Sequence, residues 1–193
     1  MLRVGKKIFP ENGHEKIAGV TIHISDKIDF KTKAIKRDPE GHFIILKGRI
    51  HQGINIIHIG APKYVWKILK DFNKDVDRNT LILGDFNTPL SKMDTFSKQN
   101  IKKHIAALNN VLDQMDLTDL YRTFHPKNAK YTFFSNAHGT FSKIDHMRGH
   151  KTSLKILKKI EIISSIFSDH KGLKLESNLK EKTKKTIQLM EIE

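Results

Sequence analysis

Thr80-Leu81-Ile82-Leu83-Gly84-Asp85-Phe86-Asn87-Thr88-Pro89 is the stretch on which the fold turns. Its apolar residues run on without polar alternation, so they read as a short, fully buried strand over residues 80–84. A glycine ends the run. Asp85 and Asn87 follow two residues apart, which on an extended chain puts both on one side. A carboxylate and an amide at a strand end can position an attacking water and hold a phosphoryl oxygen. The same string also reads as a β-turn whose Asp and Asn make local hydrogen bonds.

On either side of this strand the period changes to that of a helix. Val65, Ile68, Leu69, Phe72 and Val76 predict an amphipathic helix over residues 63–76, with Pro62 suited to its first turn. Ile101, Ile105, Leu108, Val111, Leu112 and Met115 predict a second, with Asn100 as its N-cap. Further out the sequence returns to β. Runs rich in Val, Ile and Phe cover residues 17–25, 42–50 and 54–59, with a Pro–Gly turn at 38–41. Shorter strands are expected at 131–134, 143–147, 160–163 and 173–176. This order of β, helix, strand, helix and β predicts an α/β sandwich of two packed sheets with helices outside. Residues 1–178 read as one domain. Residues 179–193 read as a divergent charged tail, frayed over 181–193.

Two more strings carry chemistry: Ser142-Lys143-Ile144-Asp145-His146 and Ser168-Asp169-His170. Neighbours on a strand face opposite ways, so Asp169 and His170 do not pair with each other. Asp169 is then better used at a metal or at the water. His170 needs a separate orienting carboxylate, for which Asp145 is the candidate; such a pair holds an imidazole in position to bond a phosphate. Taken singly, Asp169-His170 also reads as a surface loop and Asp145 as a cap or surface acid. Thr132 can supply a hydroxyl or simply pair across strands.

The charge balance narrows the partner. Lys plus Arg number 35 against 21 for Asp plus Glu, a formal charge of +14 spread along the chain, which favours a broad phosphate-facing surface. There is no cysteine, which excludes zinc–thiolate sites and cysteine nucleophiles and fits a reducing compartment. No apolar run approaches the ~20 residues of a membrane span, and the start has no secretory pattern. A nuclear or cytoplasmic protein with no membrane partner is expected.

Together, in this order, these strings resemble the DNase-I-like endonuclease/exonuclease/phosphatase superfamily. More narrowly, the chain is similar to the endonuclease domain that opens the second open reading frame of mammalian LINE retrotransposons. The resemblance is carried by residues 17–20, 35–38, 40–42, 84–90, 120–123, 125–127, 131–135, 142–146 and 168–170. It implies a four-layer α/β sandwich, with two mostly antiparallel sheets flanked by helices and the site at one end. It also implies Mg²⁺-dependent (or Mn²⁺-dependent) nicking of T/A-rich DNA. Apart from the resemblance, a monomer is expected. On that resemblance Asp85 orients or deprotonates the water, with a possible metal role shared with Asn87. Asn87 and His170 contact the scissile phosphate, Asp145 orients His170, and Asp169 lies at the metal side. Ser168 and Thr132 support the site or touch DNA.

The departures point the other way. The family's domain starts with an Asn-bearing strand and a second strand ending in Gln-Glu, whose Glu is the principal metal ligand; the match here begins after both. Ile59 runs directly into Gly60-Ala61-Pro62, where the family has a Tyr-Ala-Pro-Asn stretch whose Tyr and Asn contact the phosphate. Arg148 stands where the family's strand is apolar, and Lys171 where a small polar residue is usual. The expectation is an N-terminally truncated domain with weak or absent catalysis and with unpaired strand edges where the missing strand would lie. The alternative is a catalytically dead, basic nucleic-acid-binding remnant or pseudogene product.

Overall fold

The computed structural model describes residues 6–10, 19–25, 30–37, 44–50, 54–59, 65, 69–70, 74, 76–96, 103–164, 169–177 and 185–192. Ser168, Asn100, the 38–41 turn and most of the helix expected at 63–76 lie outside these residues. Val65, Leu69 and Lys70 are helical.

Two sheets face one another. The first has the strand order β1 (Lys6–Pro10), β2 (Gly19–Ser25), β13 (Lys185–Ile192), β12 (Gly172–Ser177) and β11 (Leu157–Ile163). The second has the order β3 (Phe30–Arg37), β4 (Ile44–Ile50), β5 (Ile54–His58), β6 (Thr80–Asp85), β10 (Asp145–Gly149) and β7 (Thr118–Asp119). The first sheet is antiparallel throughout; the second is mixed, because β5 and β6 run parallel. A small hairpin, β8 (Phe133–Ser135) with β9 (Thr140–Ser142), stands apart from both.

The burial of β6 explains its unbroken apolar run. Leu81 and Leu83 enter one core with Met147 of β10, Ile160 of β11 and Leu173 and Leu175 of β12, which is the interior between the sheets. Ile82, between them, enters a second core with Val65, Leu69 and the inner face of helix α1 (Lys103–Gln114), from Ile105, Leu108 and Leu112. A strand alternates its side chains between faces, so one covered on both faces must be apolar at every position. Among the described residues the layers are therefore sheet, sheet and helix, consistent with an α/β sandwich. Among the described residues no helix is long and apolar enough to cross a membrane.

The stretch expected to fray supplies β13. It pairs with β12 on one side and β2 on the other. The interior strands of that sheet (β2, β13 and β12) therefore have partners on both sides, and the unpaired interior edges expected from the family are not seen among the described residues.

Candidate active site

Asp85 is the last residue of β6 and Asp145 the first of β10, and the antiparallel register sets them directly opposite each other. Like charges in such a cross-strand pair repel. Burial pushes the Asp85 carboxyl up to about 7, and the charge of Asp145 adds to the push. His170 sits two residues before β12 of the other sheet, and its Nδ1–H donates to Asp145, 3.2 Å from Oδ2 and 3.4 Å from Oδ1. The ligand atoms of Asp85, Asp145 and His170 all lie within 4.8 Å of one another. The site thus forms where the two sheets meet at one end of the sandwich.

Asn87 differs from the extended-chain reading. Its φ is +45°, in the left-handed region that Asn tolerates, and its N–H donates to Asp85 Oδ1 at 2.6 Å. The local turn and the strand-end constellation coexist: one carboxylate oxygen closes the turn and the other remains for chemistry. Gly84 makes the close approach possible. Its φ is +140°, and a Cβ there would lie 1.9 Å from the Ile59 carbonyl oxygen.

Thr132 has no exposed surface, which gives it a supporting place. Its hydroxyl accepts from the backbone N–H of Ile144 at 3.0 Å and of Asp145 at 3.2 Å. Its own N–H donates to Ser142, and its carbonyl accepts from Lys171 N–H at 2.7 Å. One residue therefore ties the start of β10 to the segment carrying His170. The Phe133 ring packs against His170 with centroids 4.8 Å apart. Asp169 is exposed and outside the three-residue cluster, although its charge still acts on Asp85.

The sequence reading missed two features next to this site. His58 at the end of β5 is buried, with Nδ1 unpartnered, and burial lowers its pKa to about 4 against the opposing pull of Asp145. Below β10 lies a buried ionic network. Lys143 Nζ is 2.9 Å from Asp119 Oδ2, 3.6 Å from Asp94 Oδ1 and 3.0 Å from His146 Nδ1. Arg122 Nη2 adds a 2.7 Å bond to Asp94, and Arg148 Nη2 lies 3.9 Å from Asp119. The unusual Arg148 thus faces an acid, although its Nε has no partner. Asp94, Asp119 and His146 are spaced like metal ligands, but the Lys143 ammonium already occupies the centre. Burial alone would raise the Asp119 carboxyl; the charges of Lys143, 2.9 Å away, and of Arg148 hold it well below the usual carboxylate range. In sequence these residues look like ordinary surface charges. Only the pairing of β10 with β6 and β7 buries them.

Solved structures share this architecture. The fold is similar to the 3′ phosphatase NExo from Neisseria bound to product DNA hairpin, at 18% identity over 96% of this chain and 79% of that one, with a TM-score of 0.62. It is similar to an AP endonuclease from Archaeoglobus fulgidus, at 16% identity, 96% and 79% coverage and a TM-score of 0.64. It is also similar to the endonuclease domain of TRAS1, a telomere-specific non-LTR retrotransposon, at 15% identity, 92% and 82% coverage and a TM-score of 0.64. The decisive match is in the sequence itself, over residues 5–170, a span that holds Asp85, Asn87, Asp145 and His170: the chain belongs to the Endonuclease/Exonuclease/phosphatase family.

Proposed function

We propose that this chain hydrolyses phosphodiester bonds in DNA at the Asp85–Asp145–His170 site with a divalent cation, and that it turns over slowly. The observation that carries the reading is the directly opposed Asp85–Asp145 pair, with His170 held on Asp145. Two close carboxylates, one of which burial and then its neighbour's charge keep protonated up to near neutrality, fit a hard cation, and Mg²⁺ or Mn²⁺ suits such a donor set because it accepts few carboxylates and keeps waters. Asp85 and Asp145 would hold it, with the exposed Asp169 lying on the metal side. When bound, the cation supplies Lewis-acid neutralisation of charge on the phosphate.

The chain's own groups do the rest. Asp85 orients the attacking water through the oxygen not used by the Asn87 turn. The Asn87 amide, exposed at that turn, bonds a phosphoryl oxygen. His170, fixed by Asp145 at Nδ1, bonds the phosphate through Nε2. The +14 charge draws the polyanion in.

Slow turnover follows from what the cluster contains. Among the described residues it offers two carboxylates and an imidazole, and the direct junction of Ile59 with Gly60 provides no Tyr–Asn phosphate contact. Losing one donor of a preorganised site costs about 10²–10³ in rate. Within the family, the sequence strings favour a LINE-type retrotransposon endonuclease, a reading the likeness to the TRAS1 retrotransposon domain supports; T/A-rich DNA as target and a monomeric state belong to the same proposal. The same Ile59–Gly60 junction favours a second reading, a domain that binds DNA without cutting it.

Nicking of supercoiled plasmid by the purified chain in Mg²⁺, against EDTA, separates the two. Slow nicking that needs Mg²⁺ and is faster at T/A-rich sites is the expected result. Salt-sensitive binding with no nicking in either condition establishes the second reading and removes the first.

A further inference from the structure

We propose that His146 is a positioning residue for the Asn87 turn, locked in one tautomer by the buried Lys143 ammonium; its catalytic consequence rests on the reading above. His146 follows Asp145 on β10 and therefore points to the opposite face, away from the candidate site. It has no exposed surface, it opposes Gly84 in the strand register, and its ring packs against Phe86 with centroids 5.3 Å apart. It thus lies directly behind the string that carries Asp85 and Asn87.

The two ring nitrogens have different partners, and the partners decide the tautomer. Nδ1 lies 3.0 Å from Lys143 Nζ. An ammonium only donates, so Nδ1 accepts and carries no proton. The proton of the neutral ring is then on Nε2, which lies 2.9 Å from the Thr88 carbonyl oxygen and donates to it. Asp119, at 3.8 Å from Nδ1, is beyond hydrogen-bond reach of the ring and serves instead to hold Lys143 at 2.9 Å. The chain of contacts runs from Asp119 and Asp94 through Lys143 and His146 to the backbone of Thr88. Thr88 is the residue after Asn87, whose φ of +45° needs support from its surroundings. The Asp85–Asn87 bond closes the turn from the front, and the His146–Thr88 bond anchors it from behind.

The test uses the full chain labelled with ¹⁵N, and its first reading needs neither DNA nor metal. Long-range ¹H–¹⁵N correlation of the His146 ring is expected to show unprotonated Nδ1 and protonated Nε2. A protonated Nδ1 would overturn the proposal. Three variants follow. In His146→Leu, amide exchange at Asn87 and Thr88 is expected to accelerate at least about tenfold, while Leu81–Leu83 keep their protection. His146→Gln, whose amide N–H can reach the Thr88 carbonyl, is expected to restore most of the lost protection. In Lys143→Met the ring is expected to populate both tautomers. Unchanged exchange in the Leu variant, or no rescue by Gln in a protein that keeps its β6 protection, would overturn the idea. Plasmid nicking is a separate arm: kcat is expected to fall about 10²-fold in His146→Leu at unchanged KM, the size of effect a misplacement near 1 Å produces, and to recover in Gln. Nicking absent from the wild type removes the proposed reaction, and the tautomer and exchange readings still judge the positioning role.

Discussion

Asp85 has two duties that conflict: it closes the Asn87 turn as an acceptor, and it faces Asp145 across the β6–β10 ladder. The conflict is visible in its proton affinity, which burial and Asp145 raise from 3.8 to about 7. In the unfolded chain the same carboxyl ionises near 3.8. The metal-free folded protein therefore holds its Asp85 contribution to stability below that value and loses it as pH rises towards about 7. Urea unfolding at pH 5 and pH 7.5 in EDTA is expected to show this loss in the wild type. Asp85→Asn, which cannot ionise, is expected to flatten that part of the profile, and excess Mg²⁺ is expected to recover wild-type stability at the higher pH. An identical slope in the variant would mean that another group titrates. Asp119 works in the opposite sense: its depressed pKa gives stability above the usual carboxylate range that is lost as pH falls through it.

The elements explain which parts of this arrangement can be read from sequence. β6 is legible because both its faces are covered, so its run Leu81-Ile82-Leu83 has no polar interruption. Helix α1 is legible from the spacing of Ile105, Leu108 and Leu112. β13 is not. Lys185–Ile192 mixes charged and apolar residues, and β12 and β2 on its two sides, not its own composition, make it a strand. The short helix α2, Leu120–Phe124, gave no periodic signal because it is little more than one turn, capped by Asp119 accepting from Arg122 N–H. Asp119 thus caps α2, sits on β7 and holds Lys143. Asp119→Ala would leave a fully buried ammonium short of a carboxylate, and thermal or urea unfolding is expected to show a loss of about 3–5 kcal/mol. Gly84→Ala puts a methyl group against the Ile59 carbonyl at a φ that L-residues avoid, and a loss of at least ~3 kcal/mol is expected, since backbone strain alone costs about 1–3. A neutral Gly84→Ala would mean that β5 and β6 are not this close.

At the scale of the molecule, the site is acidic and the chain that carries it has a formal charge of +14. Asp85, Asn87, Asp145 and His170 stood out in the sequence because strand ends in α/β proteins gather chemistry; the buried cations Lys143 and Arg148 did not, because a lysine or arginine in a sequence carries no sign of where the sheet will bury it. The +14 charge predicts duplex binding that weakens about 10³-fold or more between ~50 and ~200 mM salt, which filter binding or anisotropy in EDTA would read; weak salt dependence would deny the basic surface its role. Binding of that kind belongs to the whole surface, whereas cutting belongs to one acidic corner. The two are separated most directly by assaying duplex binding and Mg²⁺-dependent plasmid nicking together in the wild type, in Asp85→Ala and in the exposed-charge variant Lys130→Gln. The prediction is slow nicking by the wild type and by Lys130→Gln, with Asp85→Ala binding DNA at least as tightly but leaving the plasmid uncut. Nicking that survives in Asp85→Ala, or a wild type that binds and never nicks, would contradict the assignment of phosphodiester hydrolysis to this site.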